Sequence, residues 1–87
     1  MPEFEWDERK RAINRQKHDL DLLRGTLLFD GRKETSRRAG EERFITTGEI
    51  EGRFYTVVWT WRAGSVRLIS FRRARHAEER AYRNSYG

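Results

Sequence analysis

The polar side chains most suited to binding or catalysis lie in one predicted strand near the end of the sequence, Val66–Arg73. Side chains of a strand alternate between two faces. Strict alternation predicts one face with Val66, Leu68, Ser70 and Arg72, and another with Arg67, Ile69, Phe71 and Arg73. A guanidinium group matches phosphate oxygens with two parallel hydrogen bonds, so Arg72 beside Ser70 indicates an anion site. The alternative is a solvated sheet face on which arginine stems pack over aromatic rings.

A second candidate for chemistry is His18, which follows Lys17 at the end of a predicted helix. Histidine takes up and releases protons near neutral pH, although a lone histidine is more often structural or solvated than catalytic. We expect His76 to be solvated. The chain has no cysteine and two histidines far apart, so we expect no thiol catalysis, no metal site and no cofactor.

The charge balance indicates an anionic partner. The 87 residues include 19 basic and 14 acidic side chains, for a net charge of +5, and 16 of the basic residues are arginine. Residues 62–87 carry seven basic and two acidic side chains, so the excess lies in the last third. Such a field favours nucleic acid as partner. An arginine-rich composition without any anionic partner is the alternative.

Eleven aromatic residues are interspersed among these arginines, a composition that suits the stacking of unpaired bases. In so small a chain, aromatic residues more often form the core, and we expect at least one of Trp59 and Trp61 to be buried. No apolar run is long enough to span a bilayer, and the first residues lack the features of a signal peptide. We therefore expect a cytoplasmic protein with no membrane partner.

The elements that must position these residues follow from hydrophobic periodicity and turn signals. We predict one domain, residues 1–87, of the α+β class: an antiparallel sheet with two N-terminal helices and one C-terminal helix, gathered on one side. The predicted strands are Phe4–Trp6, a short edge strand near Glu34–Ser36, Arg43–Ile50, Phe54–Trp61 and Val66–Arg73. The predicted helices are Glu8–Lys17 after an Asp7 cap, Leu22–Phe29 after Asp19 or Asp21, and Ala74–Asn84.

Three further predictions concern turns and buried faces. Asp30-Gly31, Glu51-Gly52 and Ala63-Gly64-Ser65 are typical of turns. The side chains expected to face the core are Ala12 and Ile13 in the first helix, Leu20, Leu23, Leu27 and Leu28 in the second, and Ala77, Ala81 and Tyr82 in the third.

Several segments, in order from about residue 4 to residue 82, together resemble one family, the BrnT-type toxins of bacterial toxin–antitoxin systems. The segments are Phe4-Glu5-Trp6-Asp7 with Lys10, Asn14 and Lys17-His18; Phe29-Asp30; Gly40-Glu41-Glu42-Arg43-Phe44 with Gly48; and Ile69-Ser70-Phe71-Arg72-Arg73-Ala74 with Glu78 and Tyr82. The chain departs from the pattern at Asp19, where the family usually has glycine, and at Arg75, where it has a Thr or Ser helix cap.

This resemblance implies a RelE-like fold and a ribonuclease that cuts RNA and so stops translation. It also implies an antitoxin with a ribbon-helix-helix DNA-binding region, and a complex of the two proteins that represses its own operon by binding operator DNA. The RNA substrate could be free or bound to the ribosome.

RNA can be cut without a metal when a 2′-OH attacks the adjacent phosphate, with a base, an acid and cations to assist. On this hypothesis the catalytic residues are Arg72, Lys17, His18 and Ser70. Arg72 stabilises the phosphate with help from Lys17 and Arg43, Ser70 bonds the phosphate or positions Arg72, and His18 is the base or acid. The substrate-binding residues are Arg43, Arg67, Arg73, Trp6 and Glu78, with Glu78 orienting an arginine. The alternative is a non-catalytic RNA- or DNA-binding module that uses the same arginines.

Overall fold

The structure, a computed structural model, describes residues 3–29, 34–37 and 42–86. Within these ranges the chain forms strand β1 (Phe4–Glu5), helix α1 (Glu8–His18), a 3₁₀ helix (Leu22–Leu28), strands β2 (Glu34–Arg37), β3 (Phe44–Ile50), β4 (Arg53–Arg62) and β5 (Ser65–Arg73), and helix α2 (His76–Tyr86). The α+β class and the succession of elements match the prediction. The predicted turn at Asp30-Gly31 lies outside the described residues.

The described strands form one sheet in the order β1-β5-β4-β3-β2. Strands β2 to β5 are an antiparallel meander, as predicted, and β2 is an edge strand. The prediction of a wholly antiparallel sheet is wrong, because β1 pairs with β5 in parallel, with Phe4 beside Val66 and Glu5 beside Arg67. The sheet is therefore mixed.

Both predicted hairpin turns are present, and each has two residues at positive φ. Glu51 and Gly52 have φ values of 52° and 80°, and Ala63 and Gly64 have values of 50° and 83°. Two positive-φ residues between antiparallel strands are typical of a type I′ turn, whose twist matches that of the strands. These turns fix the register of β3, β4 and β5.

Helix α1 begins as predicted, because the Asp7 side chain accepts a hydrogen bond from the backbone N–H of Arg9 at 2.8 Å. The next cap is Asp21, which accepts from the N–H of Leu23. The element that follows is a 3₁₀ helix and not the expected α-helix. It buries Leu22, Gly25 and Leu28, and a spacing of three is the period of a 3₁₀ helix.

The core lies between the 3₁₀ helix and one face of the sheet. Leu22 and Leu28 pack there against Tyr55, Val57 and Phe71. Gly25 allows this close approach, since a Cβ at Gly25 would lie 2.8 Å from a methyl group of Val57. Trp59 is buried and Trp61 is 55% exposed on the same face, as the sequence predicted.

Helix α2 packs on the opposite face of the sheet, where Tyr82 meets Phe54 edge to face and Glu78 bonds Thr56. Thr56 and Val57 point to opposite faces because they are neighbours in a strand. The expectation that all helices gather on one side is therefore wrong.

Several residues expected in the core are exposed. Ala12, Ile13, Leu27, Ala77 and Ala81 are all exposed, with Ile13 at 57% and Leu27 at 54%, whereas Tyr82 is buried as predicted. The buried residue of α1 is Asn14. Both α-helices thus contact the sheet through polar side chains, Asn14 in α1 and Glu78 in α2.

A β-bulge in β5 changes the predicted faces of that strand. Leu68 pairs with Trp59 and Ser70 pairs with Val58, so Ile69 is an extra residue. A bulge shifts the alternation of side chains by one position. Phe71 therefore lies in the core with Leu68, while Ser70 and Arg72 face the other side, which corrects the strict alternation predicted from the sequence.

Candidate active site

A cleft of about 440 Å³ lies on the face of the sheet opposite the 3₁₀ helix, between α1 and the start of α2. Its floor is the outward face of β3, β4 and β5, and one wall is α1. The described residues lining it are Lys10, Ile13, Asn14, Lys17, His18, Ile45, Val58, Ile69, Ser70, Arg72 and Arg75. The volume is in the range of pockets that enclose a small ligand, roughly 300–1,000 Å³.

All four predicted catalytic residues meet in this cleft: Lys17 and His18 from the last turn of α1, and Ser70 and Arg72 from β5. The two pairs are more than 50 positions apart in the sequence, and they come together because α1 lies along β5. The β5 bulge is essential to this arrangement, since without the change of phase Ser70 and Arg72 would face the core.

The Asn14 side chain joins α1 to β5. Its amide nitrogen donates to the Phe71 carbonyl at 2.9 Å and to the Leu20 carbonyl at 2.8 Å, and its oxygen accepts from the Phe71 N–H at 2.8 Å. Strand β1 pairs only with Val66 and Arg67, so Asn14 bonds the backbone of β5 where that strand pairing has ended. The amide thereby sets the position of Lys17 and His18 over the sheet.

Arg72 is held by Glu78 of α2. Its Nη1 donates to Oε1 at 2.8 Å and its Nη2 donates to Oε2 at 2.9 Å. Glu78 Oε1 also accepts from the Thr56 hydroxyl at 3.0 Å and from the backbone N–H of Arg75 at 2.8 Å. The Thr56 hydroxyl is also hydrogen-bonded to the buried hydroxyl of Thr47, at 2.8 Å. Glu78 therefore holds the Arg72 guanidinium by two hydrogen bonds and also accepts a hydrogen bond at the N-terminus of α2.

The pairing leaves part of the Arg72 guanidinium available. Its Nη1 also donates to the Arg73 carbonyl at 3.2 Å. Of the five N–H groups of arginine, those on Nε and the second on Nη2 have no acceptor among the described residues. These two lie side by side on one edge of the guanidinium, in the geometry that binds two phosphate oxygens at once.

The electrostatics of Glu78 keep it ionised. Burial raises the pKa of its carboxyl, but hydrogen bonds from Arg72, the Arg75 backbone and Thr56, together with the charge of Arg72, outweigh burial and lower the pKa from 4.5 to about 2. Glu78 is thus a fixed anion throughout the neutral range and is unsuited to proton transfer.

The environment of His18 disfavours its charged form. Partial burial lowers the pKa of its imidazole below 6.5, and the positive charges of Lys17 and Arg72 lower it further. A lowered pKa leaves the ring neutral at pH 7, so that it can accept a proton. His18 is therefore suited to the role of general base.

The cleft is cationic. Among the described lining residues, Lys10, Lys17, Arg72 and Arg75 carry positive charge and none is acidic. The ammonium groups of Lys10 and Lys17 form no ion pair or hydrogen bond with any other described residue. Sequence reasoning missed Arg75 as a lining residue and gave Lys10 and Asn14 no role in the site beyond the resemblance. The signal for Lys10 was its spacing of seven from Lys17, which places both on one helix face.

The other predicted binding residues lie outside this cleft. Arg43 lines a neighbouring hollow with Glu42 and Thr60, joined to the cleft through Ile69. Arg67 pairs with Glu5 at 3.3 Å, and Trp6 is 37% exposed. Arg73 lies on the core side of the sheet, where its guanidinium stands 5.5 Å from the centre of the Tyr55 ring. The structure thus separates Arg73 from Arg72.

Among the described residues there is no group of three or more histidines or carboxylates placed to hold a metal ion. No described helix has the length and apolar character needed to cross a membrane.

The fold and the cleft together define an α+β protein with a basic site, whose described lining residues include no carboxylate and which suits a phosphate-bearing ligand. Residues 6–78 match the family model of BrnT, the ribonuclease toxin of type II toxin–antitoxin systems. The chain therefore belongs to the BrnT family of ribonuclease toxins.

A solved structure supports the same assignment. The chain is similar to the crystal structure of the Brucella abortus ribonuclease toxin BrnT, with a TM-score of 0.74 and 26% sequence identity, over 87% of this chain and 100% of that one. The expected resemblance to the BrnT family is thus confirmed. No curated protein sequence matches the chain significantly.

Proposed function

We propose that this toxin is a metal-independent endoribonuclease of the RelE-like kind, and that its active site is the cleft between α1 and β5. The observation that carries the proposal is the meeting of Lys17, His18, Ser70 and Arg72 around one cationic cleft. Family membership supports ribonuclease activity. The geometry supports the choice of residues.

The scissile phosphate binds the free edge of Arg72 and the ammonium group of Lys17. As the 2′-oxygen attacks, negative charge grows on the nonbridging oxygens, and these cations stabilise it more strongly than in the ground state. Because Glu78 holds Arg72 by both terminal nitrogens, the guanidinium is already oriented before the substrate arrives. The Ser70 hydroxyl donates to a phosphate oxygen.

His18 takes the proton of the 2′-OH. The 2′-oxygen forms a bond to phosphorus, the bond from phosphorus to the 5′-oxygen breaks, and the products are a 2′,3′-cyclic phosphate and a 5′-OH end. The leaving 5′-oxygen takes its proton from water, which the open cleft admits. No step requires a metal ion, since cationic side chains supply the positive charge.

In the cell, cutting RNA stops translation. The toxin is neutralised by a cognate antitoxin with a ribbon-helix-helix DNA-binding region, and the complex binds operator DNA and represses its own operon. These partner assignments rest on the family resemblance. The net charge of +5 is consistent with an RNA substrate.

The proposal is tested by incubating the purified toxin with end-labelled single-stranded RNA in the presence of EDTA. We expect cleavage that leaves cyclic phosphate and 5′-OH ends. Arg72→Ala should reduce the rate by about 10²–10³-fold, as expected when a preorganised donor to the transition state is removed. Arg80→Ala removes an exposed arginine of α2 that does not line the cleft and should leave the rate unchanged.

Expression of the same variants in a bacterial host gives the corresponding cellular test. The wild-type and Arg80→Ala proteins should arrest growth and the Arg72→Ala protein should not, while all three still bind the antitoxin. A fully toxic Arg72→Ala protein, or cleavage that stops when EDTA is added, contradicts the proposed mechanism.

A further inference from the structure

The cleft extends beyond the four proposed catalytic residues. Strand β1 runs parallel to β5 beside Val66 and Arg67, and Asn14 of α1 reaches β5 further on, at Phe71. Helix α1 therefore runs along β5 in the same direction. Lys17 and His18 stand at the end of the cleft near Arg72, and Lys10 lies at the other end.

The face of α1 that lines the cleft suits a strand of nucleotides. Lys10, Ile13, Asn14 and Lys17 follow the spacing of one helix face and all line the cleft. Lys10 and Lys17 are separated by about 10.5 Å along the helix axis, a spacing that suits two different phosphates of one strand. Ile13 lies between them and is 57% exposed.

The floor beneath Ile13 is apolar, formed by Ile45, Val58 and Ile69. Beyond Ile69 a second hollow of about 380 Å³ begins, with Glu42, Arg43 and Thr60 on its walls. The cleft thus presents Arg72, Lys17 and Lys10 around an apolar floor, and Ile69 joins it to the hollow that holds Arg43 and Glu42. Alternation of cations with apolar platforms is how proteins bind single-stranded nucleic acid.

We propose that the Lys10 end of the cleft is a binding subsite for the nucleotide next to the scissile phosphate, so that the substrate is a single strand of at least three nucleotides. This proposal rests on the proposed ribonuclease function. Lys10 binds the neighbouring phosphate, the base lies against Ile13 and Ile69, and the strand leaves toward Arg43. A base can reach this floor only when it is unpaired and unstacked.

The subsite should tolerate any base. The described floor residues at this end, Ile45, Val58 and Ile69, have no side-chain donors or acceptors that could read a base edge. Discrimination between bases at this position therefore depends on contact area, and purines should bind more tightly than pyrimidines.

The first experiment compares cleavage of a dinucleotide with cleavage of trinucleotides extended on the 5′ or the 3′ side. One extension should raise kcat/KM for the wild type by about tenfold. Lys10→Ala should abolish most of that gain. The matched control is Arg9→Ala, which removes a neighbouring cation whose side chain is 92% exposed and which does not line the cleft.

The second experiment measures binding without cleavage, using the same oligonucleotides with a 2′-deoxy sugar at the scissile position. Lys10→Ala should weaken binding of the extended strand about fivefold and lower the slope of log affinity against log salt by about one. Ile13→Ala should weaken it without changing that slope.

The outcomes separate this proposal from the one on which it rests. Binding that depends on length and on Lys10, in a protein that cleaves nothing, supports the subsite and overturns the nuclease. Cleavage and binding that are equal for all lengths, or unchanged by Lys10→Ala, overturn the subsite. If Lys10→Ala weakens only the complex with the antitoxin, the surface belongs to that protein and the proposal is wrong.

Discussion

Glu78 and Arg72 form two parallel hydrogen bonds of 2.9 and 2.8 Å between the first turn of α2 and the end of β5. The pair joins the C-terminal helix to the candidate active site. Because both side chains are largely buried, at 18% and 14% exposure, the carboxylate is a structural anion whose protonation affects both the stability and the geometry of the cleft.

The first prediction concerns acid. The folded pKa of Glu78 is about 2 against 4.5 for the free side chain, so the unfolded state binds more protons between these values. The stabilisation is full above pH 4.5 and is lost as the pH falls toward 2, by up to about 3 kcal/mol. Urea unfolding at pH 5.5 and pH 3 measures the part lost by pH 3, about 2 kcal/mol.

The comparison for this prediction is Glu78→Gln, which cannot ionise. Asp7 and Asp21 also have lowered pKa values because of hydrogen bonds from the Arg9 backbone and the Arg11 side chain, and both remain in the variant. The variant should therefore lose less stability in acid than the wild type. Equal losses would show that Glu78 is not the group responsible.

The second prediction concerns the pH dependence of RNA cleavage. Burial and the charges of Lys17 and Arg72 lower the pKa of His18 below 6.5, so a rate that needs neutral His18 should decline only below pH 6.5. His18→Gln should be slower and lack this decline. Lys17→Gln removes a nearby cation and should move the decline to higher pH. Rate profiles from pH 4.5 to 8 decide the matter, and a profile that is the same for the wild type and His18→Gln would assign His18 a structural role.

The third prediction concerns Asn14. Asn14→Ala leaves the buried N–H and carbonyl of Phe71 without their side-chain partner, and we expect a loss of about 2–4 kcal/mol in the free energy of unfolding. Gln16→Ala, at an exposed position of the same helix, should change it by less than about 0.5 kcal/mol. Urea denaturation measures both, and a loss at Asn14 as small as that at Gln16 would contradict the proposed role.

The fourth prediction concerns the turn at Ala63. This residue has a φ of 50°, a conformation that alanine adopts at a cost and asparagine adopts readily. Ala63→Asn should therefore raise the free energy of unfolding by about 0.5–1 kcal/mol without altering RNA cleavage. Ala12→Asn, at an exposed position within α1, should lower it by about 0.5 kcal/mol. If both substitutions destabilise the protein, the turn is not under strain.

The parts of the fold that the sequence predicts correctly depend on local signals. Strands β3 to β5 follow from β-branched and aromatic runs that the two glycine turns separate, and α1 follows from the Asp7 cap. The parallel partner of β1 is more than 60 residues away, and no local pattern specifies it. The 3₁₀ helix was not predicted, because the leucines at 20, 23, 27 and 28 also fit an α-helical stripe and only the structure shows that Leu22, Gly25 and Leu28 are the buried residues.

The part of the candidate site that was predicted also depends on local sequence patterns. The pattern of the last strand pointed to Ser70 and Arg72, the end of the first predicted helix pointed to Lys17 and His18, and the structure brings all four together. The faces of β5 were predicted wrongly, although the apolar residues Val66, Leu68 and Phe71 already break the alternation. Asn14 could not be recognised as a buried residue, because its partners are backbone atoms that only the folded chain brings near.

The extra residue in β5 has a consequence for how chain length varies among relatives. Removing Ile69 would leave Leu68 opposite Trp59 and Ser70 opposite Val58, with every other side chain on its present side. Adding or removing a residue between Ser70 and Arg72 would instead turn the guanidinium toward the hydrophobic interior. Natural gaps in this strand should therefore fall at position 69, and an alignment that opens one elsewhere in the strand has mispaired the homologues.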